Sequence, residues 1–140
     1  MIRPATKDDM CAVYELIRQL STHDFSKAQF IDCYLNNIER GQVLVYEKGF
    51  IVCGCLVFNI HYYLHFSRKS AEIVNIVVDK NLRGQGIGKE LLAFFEQLAL
   101  EKGCICLEAD SGRHREAAHR FYLREGFLLN HYKFTKGLGQ

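Results

Sequence analysis

Apolar residues recur every third or fourth position in several parts of the chain, which is the spacing of an amphipathic helix. The clearest short stripe is Val13, Leu16, Ile17 and Leu20, and Thr6 lies before it as a candidate N-cap. A weaker stripe covers residues 26–37. Stronger ones cover residues 86–102, which Gly103 follows, and residues 115–125, which Gly126 follows. Glycine after the last helical residue is a common stop signal. The pattern therefore predicts four helices.

Other segments alternate apolar and polar residues or are continuously rich in Val, Ile and Phe, as strands are. These segments are residues 2–5, 42–48, 50–60, 70–78, 105–110 and 127–135. Lys48-Gly49 between the second and third segments predicts a hairpin, and residues 61–69 are interpreted as an aromatic and histidine-rich loop or strand extension. The predicted order is β-α-α-β-β-β-α-β-α-β in one domain over residues 1–140, a usual length for a single domain.

A glycine-rich turn between the strand ending at Val78 and the long helix is the strongest candidate for chemistry. Its sequence is Arg83-Gly84-Gln85-Gly86-Ile87-Gly88-Lys89. Glycines let the backbone approach a ligand closely, and the helix that follows directs free N–H groups and its positive dipole end at the turn. This arrangement predicts a phosphate-binding site.

Two common phosphate motifs do not fit this turn. A P-loop needs Ser or Thr after Gly-Lys, and Glu90 follows Gly88-Lys89 here. The glycine spacing also differs from a Rossmann fingerprint, and too little chain follows for a doubly wound sheet. The pattern Arg83-x-x-Gly86-x-Gly88 instead resembles the acetyl-CoA diphosphate loop of the GNAT superfamily of N-acetyltransferases, and the order of elements matches that superfamily from end to end.

The resemblance implies an α/β (mixed α+β) fold in which a mostly antiparallel sheet splays between its fourth and fifth strands, flanked by about four helices. It also implies that acetyl-CoA is the cosubstrate. The residues implied to bind it are Ile76, Val77 and Val78, through backbone pairing with the pantetheine arm and polarisation of the thioester, and Arg83, Gly84, Gln85, Gly86, Ile87, Gly88 and Lys89 in the loop.

Two catalytic residues are carried over by the resemblance. The segment Ala118-x-x-Phe121-Tyr122-x-x-x-Gly126-Phe127 matches a superfamily motif whose tyrosine protonates the departing thiolate, a role that falls to Tyr122. Glu72 is the acidic residue placed to accept the proton of the amine, through water. Periodicity alone favours Tyr122 as a core aromatic, and Glu72 could equally be a strand-end carboxylate that is in solvent or paired with Arg68 or Lys69. Arg115 replaces an asparagine frequent in the superfamily and is not assigned.

The acceptor is implied by a narrower resemblance. The segments around Leu64-His65 and Glu72-Ile73, from Ala118 to Gly126 and from His131 to Lys136 resemble bacterial aminoalkylphosphonate N-acetyltransferases. This predicts direct attack by a small primary amine without an acyl-enzyme, and His65, Arg68 and His131 as substrate-binding residues. Such relatives also imply a homodimer.

Metal binding is predicted only as an alternative. No metal ligand is assigned, although His61, His65 and Glu72 would be suitable ligands for a divalent ion if they met in the cleft. The pairs Cys53-Gly54-Cys55 and Cys104-Ile105-Cys106 are too closely spaced for common zinc motifs and are expected to be reduced core residues.

Charge and composition exclude some classes of partner. The net charge of +2 gives no argument for nucleic acid, and no apolar run reaches the length of a membrane span. Without a recognisable signal peptide, a cytoplasmic location is expected. Two alternatives stay open: a GNAT enzyme for another amine, such as a polyamine, an amino sugar or a protein N-terminus, and a non-catalytic acyl-CoA-binding sensor.

Overall fold

A five-stranded mixed sheet with helices on both faces forms the body of the protein, as a computed structural model describes it for residues 1–20 and 24–139. The elements in chain order are β1 (Ile2–Pro4), α1 (Met10–Leu20), α2 (Lys27–Glu39), β2 (Val43–Lys48), β3 (Ile51–Tyr63), β4 (Arg68–Val78), α3 (Ile87–Glu101), β5 (Cys104–Ala109) and α4 (Glu116–Arg124). Short 3₁₀ turns at Lys7–Asp9 and Lys80–Leu82 precede α1 and α3.

The strands stand in the sheet in the order β1-β2-β3-β4-β5, antiparallel up to β4 and parallel between β4 and β5. Pairing of β4 with β5 begins at Lys69–Cys104 and ends at Ile73–Ala109. Residues 74–78 of β4 therefore extend beyond the paired part of β5. The predicted splay between the fourth and fifth strands is confirmed.

A β-bulge lies where β4 and β5 separate. On β3, Val57 and Phe58 are consecutive, but their partners on β4 are Asn75 and Ile73, so Val74 is an extra residue. A bulge bends its strand and redirects the side chains around it. The strand is thereby turned away from β5. The space between residues 74–78 of β4 and the end of β5 is called the gap below.

Two apolar clusters hold the helices to the two faces. On one face α3 packs through Phe95 on Phe58 of β3, with ring centroids 4.9 Å apart. A Cβ at Gly54 would lie 3.3 Å from the side chains of both Ile87 and Leu91, so glycine lets the start of α3 approach β3 closely. The other face carries α1 and α2 over a second cluster that includes Val45, Cys55 and Val77.

Arg3 ties the beginning of α1 to the sheet. Its guanidinium donates to Asp9 at 2.8 and 2.9 Å and to Glu47 at 2.9 Å. The Arg3 hydrogen bond, together with that from the Thr6 amide, holds the pKa of Asp9 below its usual value despite burial. The predicted helix start at Thr6 is confirmed, because the Asp9 carboxylate accepts from the Thr6 amide at 2.8 Å.

The last predicted strand, residues 127–135, is wrong. This segment has no regular secondary structure, and its large apolar side chains are 80–93% exposed at Leu128, Leu129, Tyr132 and Phe134. Alternation supplies one apolar face, but a strand also needs a backbone partner, and none is paired with β5 on its outer side among the described residues. The segment at 61–69 resolves into the end of β3, a turn and the start of β4.

The cysteines follow the prediction except at one position. Cys53, Cys55 and Cys104 are buried, whereas Cys106 is exposed, with its sulfur 3.2 Å from the Ser70 hydroxyl. The expectation of burial is wrong for Cys106 because β5 is the edge strand of the sheet and leaves this side chain exposed. Burial raises the pKa of the Cys55 thiol to about 12, as expected for an inert core residue.

In the described part of the chain, no helix is both long and apolar enough to cross a membrane.

Candidate active site

The glycine-rich turn forms an open cradle at the start of α3. Gly84 and Gly86 have φ angles of +80° and +85°, the left-handed region that other residues enter only at a cost. A Cβ built on either glycine meets no atom within 4 Å, so the space above the turn is free for a ligand. The first N–H groups of a helix have no partner within it, and α3 directs them at this space.

Gly88, unlike Gly84 and Gly86, is in a packed position. A Cβ there would lie 3.7 Å from the Phe121 ring and 3.8 Å from the Val78 side chain. The first turn of α3 is thus in close contact with α4 and with the end of β4. This contact brings α4, and with it Tyr122, to the gap between β4 and β5.

Charged residues of the turn lie at its surface. Arg83 is exposed and donates one hydrogen bond, from Nε to the Val78 carbonyl at 3.1 Å. That bond uses only Nε, so the N–H donors of the two terminal guanidinium nitrogens are not part of it. Gln85 and Lys89 are also exposed, whereas Ile87 is buried and anchors the turn. The turn therefore combines backbone donors with basic side chains, a combination that suits a phosphate group.

The last residues of β4 direct their backbone groups alternately to β3 and to the gap. The Asp79 amide donates to the Cys53 carbonyl at 2.8 Å, directly after the strand. Because bonded and non-bonded pairs alternate between antiparallel strands, Val77 also bonds to β3. Ile76 and Val78 therefore present their N–H and C=O groups to the gap, where a polar extended molecule can pair with them.

The Tyr122 side chain sits in an aromatic and partly buried environment. Its ring makes edge contacts with Phe121 and Phe127, at centroid distances of 5.6 and 5.2 Å. Burial raises the pKa of Tyr122 to about 12, and the positive charge of Arg115 opposes this rise. The phenol is neutral at physiological pH and can act as a proton donor. The ring therefore packs as a core aromatic would, and the catalytic role of Tyr122 stays a prediction.

Glu72 is paired with a histidine rather than with Arg68 or Lys69. Its Oε1 lies 2.7 Å from Nε2 of His61 on the neighbouring strand β3. The Glu72 side chain is 18% exposed and that of His61 is 33% exposed. Glu72 stands just before the bulge at Val74, two residues from the mouth of the gap.

A second carboxylate lies beside Glu72. Glu108 of β5 is its register partner, and the Tyr63 hydroxyl donates to Glu108 at 3.1 Å. Burial and this hydrogen bond raise the pKa of Tyr63 to about 12. The Tyr63 ring stacks on His61 at a centroid distance of 5.4 Å. Glu72 and Glu108 are thus each hydrogen-bonded to an aromatic side chain of β3.

A cavity of about 470 Å³ opens on the face of the sheet that carries α1 and α2. Its apolar wall comes from these helices and the loop between them, and its polar wall from β4 and the loop between β5 and α4. The lining residues are Ile17, Leu20, Phe25, Gln29, Phe30, Cys33, Asn75, Gly112, His114 and Arg115. Asn75 follows the bulge, so the cavity reaches the gap in the sheet from this side.

The three predicted substrate-binding residues do not line this cavity. His65 lies in the exposed turn between β3 and β4, against Tyr63 and Phe66, and Arg68 is the exposed first residue of β4. His131 is in the tail that follows α4, hydrogen-bonded to its neighbour Asn130 at 2.7 Å.

The alternative of a metal at His61, His65 and Glu72 is not supported. His61 and Glu72 meet, but across residues 1–20 and 24–139 no three His, Cys, Asp or Glu side chains are grouped so that they could hold an ion.

Sequence reasoning missed Asn75, Glu108 and His114 and left Arg115 unassigned. Asn75 lies on the same face of β4 as Val77, two residues further along, as strand alternation would have indicated. Glu108 could have been found from strand register, because Glu72 and Glu108 become opposite residues when the two predicted strands are paired. His114 and Arg115 reach the cavity through a loop whose course the sequence does not determine.

Comparison with known proteins places the chain in a family. Residues 10–127 match the model of the acetyltransferase (GNAT) family. The chain is 36% identical to the aminoalkylphosphonate N-acetyltransferase of Salmonella typhimurium over 98% of this chain and 90% of that protein. It is 30% identical to glucosamine 6-phosphate N-acetyltransferase 1 of Dictyostelium discoideum over 86% of this chain and 79% of that protein.

Solved structures agree with this in fold. An aminoglycoside N-acetyltransferase crystallised in complex with CoA superposes with a TM-score of 0.86, at 17% identity, over 99% of this chain and 94% of that one. A match over this much of the sequence, in a protein that has the splayed sheet and the open glycine turn, leads to one conclusion: the chain belongs to the acetyltransferase (GNAT) family and is an acyltransferase.

Proposed function

We propose that this enzyme transfers the acetyl group of acetyl-CoA to the primary amine of a small aminoalkylphosphonate. The observation that carries the proposal is the gap between β4 and β5, which is open to a phosphate cradle at one end and to a cavity with a basic wall on one face. The Salmonella relative bears this activity in its name and is similar over almost the whole chain.

Acetyl-CoA fits the first half of this site. The turn from Arg83 to Lys89 would take the diphosphate on the N–H groups at the start of α3. Ile76 and Val78 would pair with the pantetheine arm through their backbone, whereas Val77 is occupied by β3 and contributes only packing. An N–H of β4 facing the gap would polarise the thioester carbonyl. Acetyl-CoA supplies the activated acetyl group when bound.

The chain's own residues would then handle two protons. An alkylammonium acceptor must lose one proton before its nitrogen can attack, and Glu72 would receive it through water. When the C–N bond has formed and the C–S bond breaks, Tyr122 would give its proton to the departing sulfur. The second proton of the nitrogen restores the phenol, so the products are the amide, the free thiol and one proton.

The acceptor would occupy the cavity between the helices and the loop that follows β5. Arg115 and His114 offer cationic and N–H donors to a phosphonate, and an arginine fork matches such an anion well. Both curated relatives described above are named for amines that carry a phosphorus oxyanion. His65, Arg68 and His131 stay predictions, and the cavity favours Arg115 and His114 over them.

The acceptor is tested by release of free CoA thiol from acetyl-CoA in the presence of a panel of amines. Aminomethyl- and aminoethylphosphonate should be turned over selectively, compared with spermidine, glucosamine, glucosamine 6-phosphate and a short peptide. Selective turnover of glucosamine 6-phosphate would keep the anion site but overturn the phosphonate. Selective turnover of spermidine or the peptide would overturn the basic wall as the acceptor site, and acetyl-CoA binding without any turnover would favour a sensor.

Glu72→Gln should lower kcat/KM for the phosphonate amine about 100-fold at pH 7, because the amide cannot accept the ammonium proton. The dissociation constant for acetyl-CoA, measured by calorimetry, should change less than about twofold. An unchanged kcat/KM would remove Glu72 from the proton path.

Gly86→Ala should weaken acetyl-CoA binding about 10- to 100-fold, equivalent to losing one charge-assisted hydrogen bond of about 1.5–3 kcal/mol. Its φ of +85° strains an alanine, and the new Cβ enters the cradle. Gly41→Ala is the matched control: Gly41 has a φ of +67° and equally open surroundings but lies in the turn before β2. Both variants should lose about 1–2 kcal/mol of stability, and only the first should lose affinity.

A further inference from the structure

The pairing of His61 with Glu72 has a role in proton release, and this inference rests on the proposed function. We propose that His61 is the proton outlet of the acceptor site: it takes from Glu72 the proton that the attacking amine has lost and passes it to solvent. The short contact of 2.7 Å joins the Glu72 carboxylate to Nε2 of the imidazole, and the other ring nitrogen is free to exchange with water.

Exposure increases along this path. Glu72, at 18% exposure, stands at the mouth of the gap between β4 and β5, and His61, at 33%, lies on the outer side of it on β3. A proton that reaches Glu72 from the cavity therefore moves toward solvent when it reaches His61. Release through an imidazole also leaves Glu72 ionised for the next turnover.

Of the two adjacent carboxylates, Glu72 and Glu108, the one in contact with His61 is Glu72. Glu108, the register partner of Glu72 on β5, accepts from Tyr63, and Tyr63 keeps its proton because burial and this hydrogen bond raise its pKa. The Tyr63 ring also stacks on His61 and fixes the plane of the imidazole. His65 touches Tyr63 from the turn, and Cys106 on β5 lies near the Tyr63 hydroxyl.

The step balances in protons and electrons. The ammonium N–H bond breaks and its proton goes to Glu72, and the O–H bond at Glu72 breaks as an Nε2–H bond forms on the His61 tautomer that carries its proton on Nδ1. The imidazolium then releases the Nδ1 proton to water, and proton exchange with water restores the Nδ1–H tautomer for the next turnover. No oxidant or reductant takes part. The attacking nitrogen keeps its electron pair for the thioester carbonyl carbon.

His61→Gln separates proton transfer from positioning, since a glutamine amide can hydrogen-bond to Glu72 but cannot carry a proton. We expect kcat/KM for the amine to fall about 10- to 100-fold at pH 7, as much as in His61→Ala, with acetyl-CoA affinity unchanged. Added imidazole should partly restore His61→Ala.

Tyr62→Gln is the matched control, because Tyr62 is the next residue of β3, 75% exposed on the opposite face. It should stay within about twofold of the unaltered enzyme. A His61→Gln variant that keeps normal activity would overturn the outlet. Loss of activity in His61→Gln without rescue of His61→Ala by imidazole would also overturn it and leave His61 a positioning residue.

A less basic acceptor tests the same step without altering the protein. In 2-amino-1,1-difluoroethylphosphonate the fluorines lower the basicity of the amine, so more of it arrives deprotonated. The penalty of His61→Gln should shrink at least threefold with this acceptor relative to aminoethylphosphonate, and an undiminished penalty would contradict the proposal.

If another amine proves to be the acceptor, the same variants are assayed with it, so a failure of the phosphonate assignment does not hide the result for His61. Proton and ¹⁵N NMR of the imidazole gives a readout without turnover. The ¹⁵N signal of Nε2 should shift in Glu72→Gln, which removes the carboxylate that this nitrogen contacts. An unchanged Nε2 signal would overturn the pairing itself.

Discussion

Replacing Tyr122 by phenylalanine should lower kcat about 10²- to 10⁴-fold, the usual contribution of a positioned general acid. The change removes one hydroxyl and keeps the ring that packs between Phe121 and Phe127, so the fold should be intact. Burial raises the pKa of Tyr122 to about 12, so its proton is present across the range in which the enzyme can be assayed.

The same rise in pKa makes Tyr122 a weaker acid than an ordinary phenol. A thiol of ordinary pKa near 8.5 facing a phenol near 12 leaves the transfer uphill by about 3.5 units, or about 5 kcal/mol. Without the positive charge of Arg115 the pKa of Tyr122 would be higher still. What offsets the cost is the second proton of the attacking nitrogen, which restores the phenol in the same event. The hydroxyl is thus most effective as a relay between nitrogen and sulfur.

Tyr132→Phe is the matched control for this experiment. It makes the same chemical change on a tail residue that is 93% exposed and lies outside the site. Steady-state kinetics should show kcat reduced only in Tyr122→Phe, with the dissociation constant for acetyl-CoA unchanged in both. Equal kcat in the two variants would make Tyr122 a packing residue and leave protonation of the thiolate to the amine.

The parts of the site that the sequence predicted are those determined by local chain chemistry. Gly84 and Gly86 stand where only glycine adopts the required φ without strain, and a helix start follows them directly. The helix spacing that carries Phe121 and Tyr122 is likewise local. Such features depend on residues a few positions apart, so one sequence is enough to place them.

What could not be predicted depends on long-range geometry. The bulge at Val74 shifts the alternation of β4, so Ile73 and Ile76 lie on one face although they are three residues apart. The pairing of Glu72 with His61 depends on the register of two strands, not on the spacing of the two residues. The tail at 127–135 fails in the opposite way: its pattern is that of a strand, but no strand in the described part of the chain pairs with it.

Phe95→Ala should destabilise the protein by about 3–5 kcal/mol, a large fraction of the 5–15 kcal/mol that holds a typical domain together. Phe95 is fully buried and packs on Phe58, so its removal leaves a cavity between α3 and the middle of the sheet. Urea unfolding followed by circular dichroism would measure the loss as a lower midpoint.

Phe94→Ala is the control, because Phe94 is the preceding residue of the same helix and is 41% exposed. It should cost less than about 1 kcal/mol, the range of substitutions away from the core. The comparison also bears on function. The start of α3 forms one side of the phosphate cradle, and it is held to β3 by Ile87 and Leu91 against Gly54, a turn or more away from Phe95. Phe95→Ala should therefore keep its affinity for acetyl-CoA at temperatures where it is folded, and a matching loss of affinity would mean that the whole helix, not its first turn, positions the cradle.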